Sequence, residues 1–242
     1  MDALLWLLAV LALLWLLSFV LAQHIQGLIL LLGGSTRAAV AVYDVLVLPG
    51  VVLHELSHML VAVALGVRVL RVRLFQFRRL DDPRQGEVVV ADTDPLRMSL
   101  IGAAPLVGGI AGLALLQPVL LRLLDTPTLS LDALGQLLSM PRALLVLYLI
   151  VAVANTMFPS AADRKAWRVV VVIVAVLAVI MLALRLTLPA SWIESITGAA
   201  ERLTALLWPV LLIDLGVLAV VLALEALVGR LRGRRIVYRS FS

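Results

Sequence analysis

His54-Glu55-Leu56-Ser57-His58 places two imidazoles four residues apart with a carboxylate beside the first. On a helix, positions i and i+4 share a face one turn apart, so both rings can reach one metal ion. A bound zinc lowers the pKa of water to about 7, and a glutamate next to the ligand is placed to take the proton. The chemistry on offer is hydrolysis of a carbonyl compound, a peptide bond being the usual one. The flanking residues Val51-Val52-Leu53 and Met59-Leu60-Val61-Ala62-Val63 are apolar. Two histidines and a glutamate in so apolar a helix are costly unless they have a function.

Two imidazoles leave the metal short of ligands, since a catalytic zinc usually takes three protein groups and keeps one position open. The chain has no cysteine, which excludes thiolate ligands and disulfides. The third ligand must therefore be His, Asp or Glu. His24 stands alone near the end of an apolar run and reads as an interfacial histidine. The acids in apolar surroundings are Asp44, Asp163, Asp214 and Glu225.

The elements that position these groups are set by composition. Of 242 residues, 63% are hydrophobic and 14% charged, and the mean hydropathy is +1.13. A soluble domain is about 45–50% apolar and about 25% charged. This chain needs the bilayer as solvent. Apolar runs fall at residues 4–22, 38–66, 98–121, 143–158, 167–186 and 203–228. They predict an all-α polytopic membrane protein of about six transmembrane helices in one membrane domain spanning 1–242. The amino-terminal run reads as a retained span and not a cleaved signal peptide. A short apolar piece at 25–32, ending at Gly33-Gly34, reads as re-entrant or interfacial. Pro49-Gly50 should kink or interrupt the second span.

Residues 67–97 form the sizeable polar region. Val67 to Leu74 alternates with period two, and Gly86 to Ala91 does so more weakly. This predicts a small membrane-associated β-hairpin over 67–91 that hugs the membrane surface. The net charge of +5 comes almost wholly from arginine. Arginines cluster in 67–97, in the loop at 164–168 and in the tail after 229. With six spans all three stretches face one side, which the positive-inside rule makes cytoplasmic, with both termini there. That use of the charge argues against nucleic acid as a partner. The expected partner is the lipid bilayer, and the expected setting a prokaryotic cytoplasmic (inner) membrane. Nothing in the sequence specifies an oligomeric state.

Asn155-Thr156-Met157-Phe158-Pro159-Ser160-Ala161-Ala162-Asp163 follows on a later span. Together with His54-Glu55-Leu56-Ser57-His58, it resembles the site-2 protease family of intramembrane zinc metalloproteases. That family carries H-E-x-x-H on one membrane helix and N-x-x-P-x-x-x-L-D-G on a later one. The Asn-to-Asp spacing of eight agrees. Pro159 falls one position late, Ala162 stands for the leucine and Arg164 for the glycine. The small-residue stretch Gly102 to Gly109 is similar to the family's intervening helix, without its asparagine. The resemblance covers residues 45–165. It implies one zinc per chain on His54, His58 and Asp163, with Glu55 as general base and Asn155 assisting substrate or the developing oxyanion. Its substrate would be a transmembrane or membrane-anchored protein.

On this reading residues 1–37 are an amino-terminal span plus the short apolar segment. Residues 38–165 are a metalloprotease core, and 166–242 two further spans and a basic tail. His58 lies about 12 Å from the helix end at Gly66, at 1.5 Å per residue, while Asp163 adjoins Arg164 and Lys165. For both to reach one metal, 155–163 must be unwound or re-entrant. Asp214, mid-way along the last span, reads as a structural or gating acid. Two rivals stand beside this reading. One is a membrane protease of the gluzincin type, with Glu201 or Glu225 as third ligand. The other is a non-proteolytic metal-binding protein, either a divalent-metal transporter or an inactive scaffold.

Overall fold

The computed structural model describes residues 2–76, 85–126, 137, 139–165, 167–185, 187–234, 236 and 238. Among these residues six helices, five of them long, and one small sheet follow each other as α1 (Asp2–Leu31), α2 (Thr36–Ala64), β1 (Val69–Arg73), β2 (Glu87–Val90), α3 (Pro95–Leu123), α4 (Pro141–Ala154), α5 (Trp167–Ala183) and α6 (Ala190–Arg232). A 3-10 turn, Asp163–Lys165, precedes α5. Five stretches are long and apolar enough to cross a membrane: α1, α2, α3, the Asp163–Ala183 stretch containing α5, and α6. The expected helical architecture with a small hairpin is thus present, with five candidate spans among the described residues where about six were expected, and α4 is a shorter apolar helix.

The helix ends follow local rules. Ser35 caps α2, its hydroxyl accepting from the Ala38 amide at 3.2 Å. Asp94 caps α3, accepting from the amides of Leu96 at 3.1 Å and Arg97 at 3.0 Å, with Pro95 at the first helical position. Each cap satisfies amides that have no partner within the helix.

Several boundaries differ from expectation. The piece expected at 25–32 is, as far as Leu31, the end of α1, which runs unbroken because nothing between Ala22 and Ile25 interrupts it. Pro49 sits inside an unbroken α2. Its neighbour Gly50 is where α4 comes close: a β-carbon there would collide with the Ala152 carbonyl oxygen and the Thr156 hydroxyl. The residues expected at the end of the fourth span leave the helix, since α4 stops at Ala154. The last span extends back to Ala190 and forward to Arg232.

Helix association in lipid gains little from apolar burial and depends on close packing and polar contacts. The core follows that rule. Val10, Leu14, Leu17 and Leu21 of α1 pack with Leu207, Val210 and Leu211 of α6. Asp2 and Trp6 share a groove with Glu201 and Trp208, while His24 meets Glu225 further along. These pairings make α1 and α6 parallel neighbours. Six alternating spans would make them antiparallel. No residue of α5 is buried.

The two strands pair antiparallel, Val72 opposite Val88 and Arg73 opposite Glu87, with an irregularity between Val69 and Arg71. The ladder continues as Gln76 N–H donates to Gln85 O at 2.5 Å. The hairpin does not lie flat at the end of α2. Its base packs on Ala62, and its far end returns along the helix, where Phe75 joins Tyr43, Val47 and Val51. Gln85 Nε2 donates to Asp44 Oδ1 at 2.7 Å. The buried Asp44 carboxylate supplies the polar contact that draws the hairpin down past Glu55.

Candidate metal centre

His54, Glu55 and His58 occupy consecutive turns of α2, with Glu55 and His58 buried. The imidazole rings stand 5.0 Å apart at 75°. His54 Nδ1 lies 2.7 Å from the carbonyl oxygen of Thr156, and His58 Nδ1 lies 2.8 Å from that of Ile101. A carbonyl oxygen can only accept, so each Nδ1 carries a proton, and in the neutral ring Nε2 is left with its lone pair. Histidine ligands are commonly oriented this way, by a backbone acceptor behind the ring.

Both Nε2 atoms face Asp163. His58 Nε2 is 3.3 Å from Asp163 Oδ1 and His54 Nε2 is 3.8 Å from Asp163 Oδ2. The three ligand atoms lie within 4.8 Å of one another. Two imidazole nitrogens and a carboxylate at this spacing could hold a metal ion, and the donor set fits a catalytic zinc. Among the described residues it is the one such group.

Asp163 gets there because α4 ends early. After Ala154 the chain unwinds through Pro159 into the 3-10 turn. The Ser160 amide donates to Asp163 Oδ2 at 2.7 Å, and the Asp163 amide to Ser160 Oγ at 3.3 Å. Arg164 closes the loop by donating to Pro159 O at 2.8 Å. Behind it, Gly102 of α3 leaves space that a side chain would fill with a clash against the Asp163 carbonyl. Trp167 Nε1 donates to Ser99 O at 3.2 Å on the same helix. The small residues of α3 serve close approach throughout: Gly108 faces Ser57, Gly109 faces Met157 and Gly112 faces Leu53. Of this irregular stretch, residues 155–159 are buried or half-buried and 160–162 are exposed; irregular backbone is tolerated in a membrane protein where it packs on protein or lines a cavity.

Glu55 faces the hairpin, where Gly86 lies against it. Asn155, the C-cap of α4, turns its amide from the metal ligands to α6. Its Nδ2 donates to Val151 O at 2.9 Å and to both oxygens of Asp214 at 3.2 Å. With these partners the amide protons are engaged. The remaining acids lie elsewhere. Glu225 meets His24 Nδ1 at 2.6 Å and accepts from the Tyr238 hydroxyl, and Glu201 lines the groove with Asp2 and Trp6. Neither joins the histidine pair, so the gluzincin arrangement has no counterpart among the described residues.

Sequence reasoning did not find the carbonyl partners Thr156 and Ile101, the Asn155–Asp214 pair or the Gln85–Asp44 contact. Backbone acceptors carry no residue-type signal, and the polar pairs join positions with no shared motif. Compared with known proteins, the chain matches no family model, no curated protein and no solved structure. Function must be read from the centre itself.

Proposed function

We propose that this protein is an intramembrane zinc metalloprotease, of the kind the site-2 protease resemblance implies, that cleaves membrane-anchored protein substrates. The observation that carries this reading is the convergence of His54 Nε2, His58 Nε2 and the Asp163 carboxylate beside Glu55. A bound zinc would act as a Lewis acid, acidifying water and polarising the scissile carbonyl. Glu55 accepts the proton of the attacking water and returns it to the leaving amine. The Thr156 and Ile101 carbonyls hold the imidazoles in the tautomer that leaves Nε2 free. Asn155 assists by holding the loop that carries Thr156.

Hydrolysis needs water at this depth. The charges of β1 and β2 support its access: Arg73 stands opposite Glu87, next to Gly86 and Glu55, and Arg71 and Arg73 are exposed. Acyl chains cannot solvate guanidinium groups, so this flank of the centre faces water. The hairpin is also placed to receive an unwound substrate segment by strand addition. A proline scan through Val88, Val89 and Val90 that left cleavage unchanged would remove that part of the reading.

The setting proposed is a prokaryotic cytoplasmic membrane. Termini both on the cytoplasmic side, as six alternating spans require, fit poorly with the parallel contact of α1 and α6, which favours opposite sides. Reporter fusions at the two ends distinguish these outcomes. The decisive assay is cleavage of a membrane-anchored reporter library in proteoliposomes, with Glu55→Gln as the inactive control. A transporter or scaffold would instead bind zinc and show no Glu55-dependent cleavage.

A further inference from the structure

Asp214 is 1% exposed on α6, and lipid and apolar side chains make such a site costly for a carboxylate. It belongs to none of the ligands, and its carboxylate accepts from Asn155 Nδ2 through both oxygens at 3.2 Å. Asn155 is no ordinary partner. It is the last residue before the chain unwinds, and the next residue, Thr156, supplies the carbonyl that orients His54. Thr156 is itself tied back to α4, its hydroxyl donating to Ala152 O at 2.8 Å. Among the described residues the buried Asn155 Oδ1 atom has no partner, so the amide is held through its nitrogen.

We propose that Asp214 is a positioning residue for the metal centre: by gripping Asn155 it fixes the turn at the end of α4, and through Thr156 the ring of His54. The last helix is thereby coupled to the centre without contributing a ligand. Outer partners of metal-binding histidines typically change metal affinity about 10–100-fold when removed. Asp214 acts one residue further out, through Asn155, and belongs toward the lower end of that range.

This inference rests on the metal reading above, and the experiment separates the two. Zinc affinity is measured by chelator competition on full-length protein in detergent, together with the thermal midpoint of the metal-free form. Wild type without zinc under replete conditions overturns the metal reading itself. With wild type binding zinc, Asp214→Leu is expected to weaken binding roughly 10-fold with little change in the metal-free midpoint, because relief of the buried carboxylate's desolvation offsets the acceptor lost to the Asn155 amide. Asp214→Asn keeps an acceptor for Asn155 and should restore affinity close to wild type. Asn155→Ala combined with Asp214→Leu should be no worse than Asn155→Ala alone. Unchanged affinity in Asp214→Leu, equal loss in Asp214→Asn, or additive losses in the double variant would overturn the proposal. If Asp214→Leu does not fold, Asp214→Ala against Asp214→Asn makes the same comparison.

Discussion

Gly86 lies against Glu55 so closely that a β-carbon at Gly86 would sit 2.5 Å from Glu55 Cγ and 2.6 Å from Oε1. The hairpin therefore forms one wall of the space around Glu55. The side chain most easily displaced by a substituent at Gly86 is Glu55, not a metal ligand. Gly86→Ala should lower turnover about 100-fold, the scale associated with a misplacement of roughly 1 Å, while zinc content stays at the wild-type level. Turnover and elemental analysis on the same preparation check this. Loss of zinc together with activity would mean that the hairpin acts on the centre in some other way.

Glu55→Gln keeps size and hydrogen-bonding ability but cannot accept a proton. It should reduce cleavage by about 10²–10⁴, the usual contribution of general acid–base catalysis, and should leave zinc bound. Cleavage that survived the substitution would move the base to another group.

How much of this could be read from the residues depends on which signals survive in lipid. His54, Glu55 and His58 were legible because helical spacing alone puts both rings on one face. Unwinding of 155–163 was legible because Asp163 could not otherwise reach His58. The course of the hairpin was not, since alternation in 67–74 marks a strand without saying what it packs on. Helix faces were harder still. In a bilayer the lipid-facing side is as apolar as the packed side, so periodicity cannot tell them apart: α5 is apolar throughout, yet none of its residues is buried. Asp214 stood out as a costly acid, but its partner Asn155 lies 59 residues away in the chain.

Gly50 marks a close approach of α2 and α4, and the atoms in the way include a backbone carbonyl that cannot swing aside. Gly50→Ala should cost about 1–3 kcal/mol, as for other overpacked sites. It should also weaken zinc binding, because Thr156 is displaced with Ala152. Gly216→Ala on α6, where an added β-carbon meets nothing within 4 Å, should leave stability unchanged or raise it by up to about 1 kcal/mol, the helix propensity gained. Chemical denaturation in detergent compares the two, and equal effects would contradict the packing described.

The Arg97 amide, with the Arg97 charge and the Leu96 amide, holds the Asp94 carboxyl below its ordinary value of 3.8. A depressed pKa in the folded state stabilises above the unfolded value and is lost as pH falls through the folded one. Wild type should therefore lose its advantage over Asp94→Asn progressively below about pH 4, with a constant difference above it. Midpoints of the two proteins across that range check the sign. A difference that grew on acidification would contradict the cap.

The most direct test of the central claim needs no substrate. Zinc per chain is measured on detergent-purified wild type and on Asp163→Ala under identical metal-replete conditions. The account predicts about one zinc in wild type, the number a three-ligand centre holds, and its loss in Asp163→Ala. Wild type without zinc, or full zinc in Asp163→Ala, would contradict a centre built from His54, His58 and Asp163.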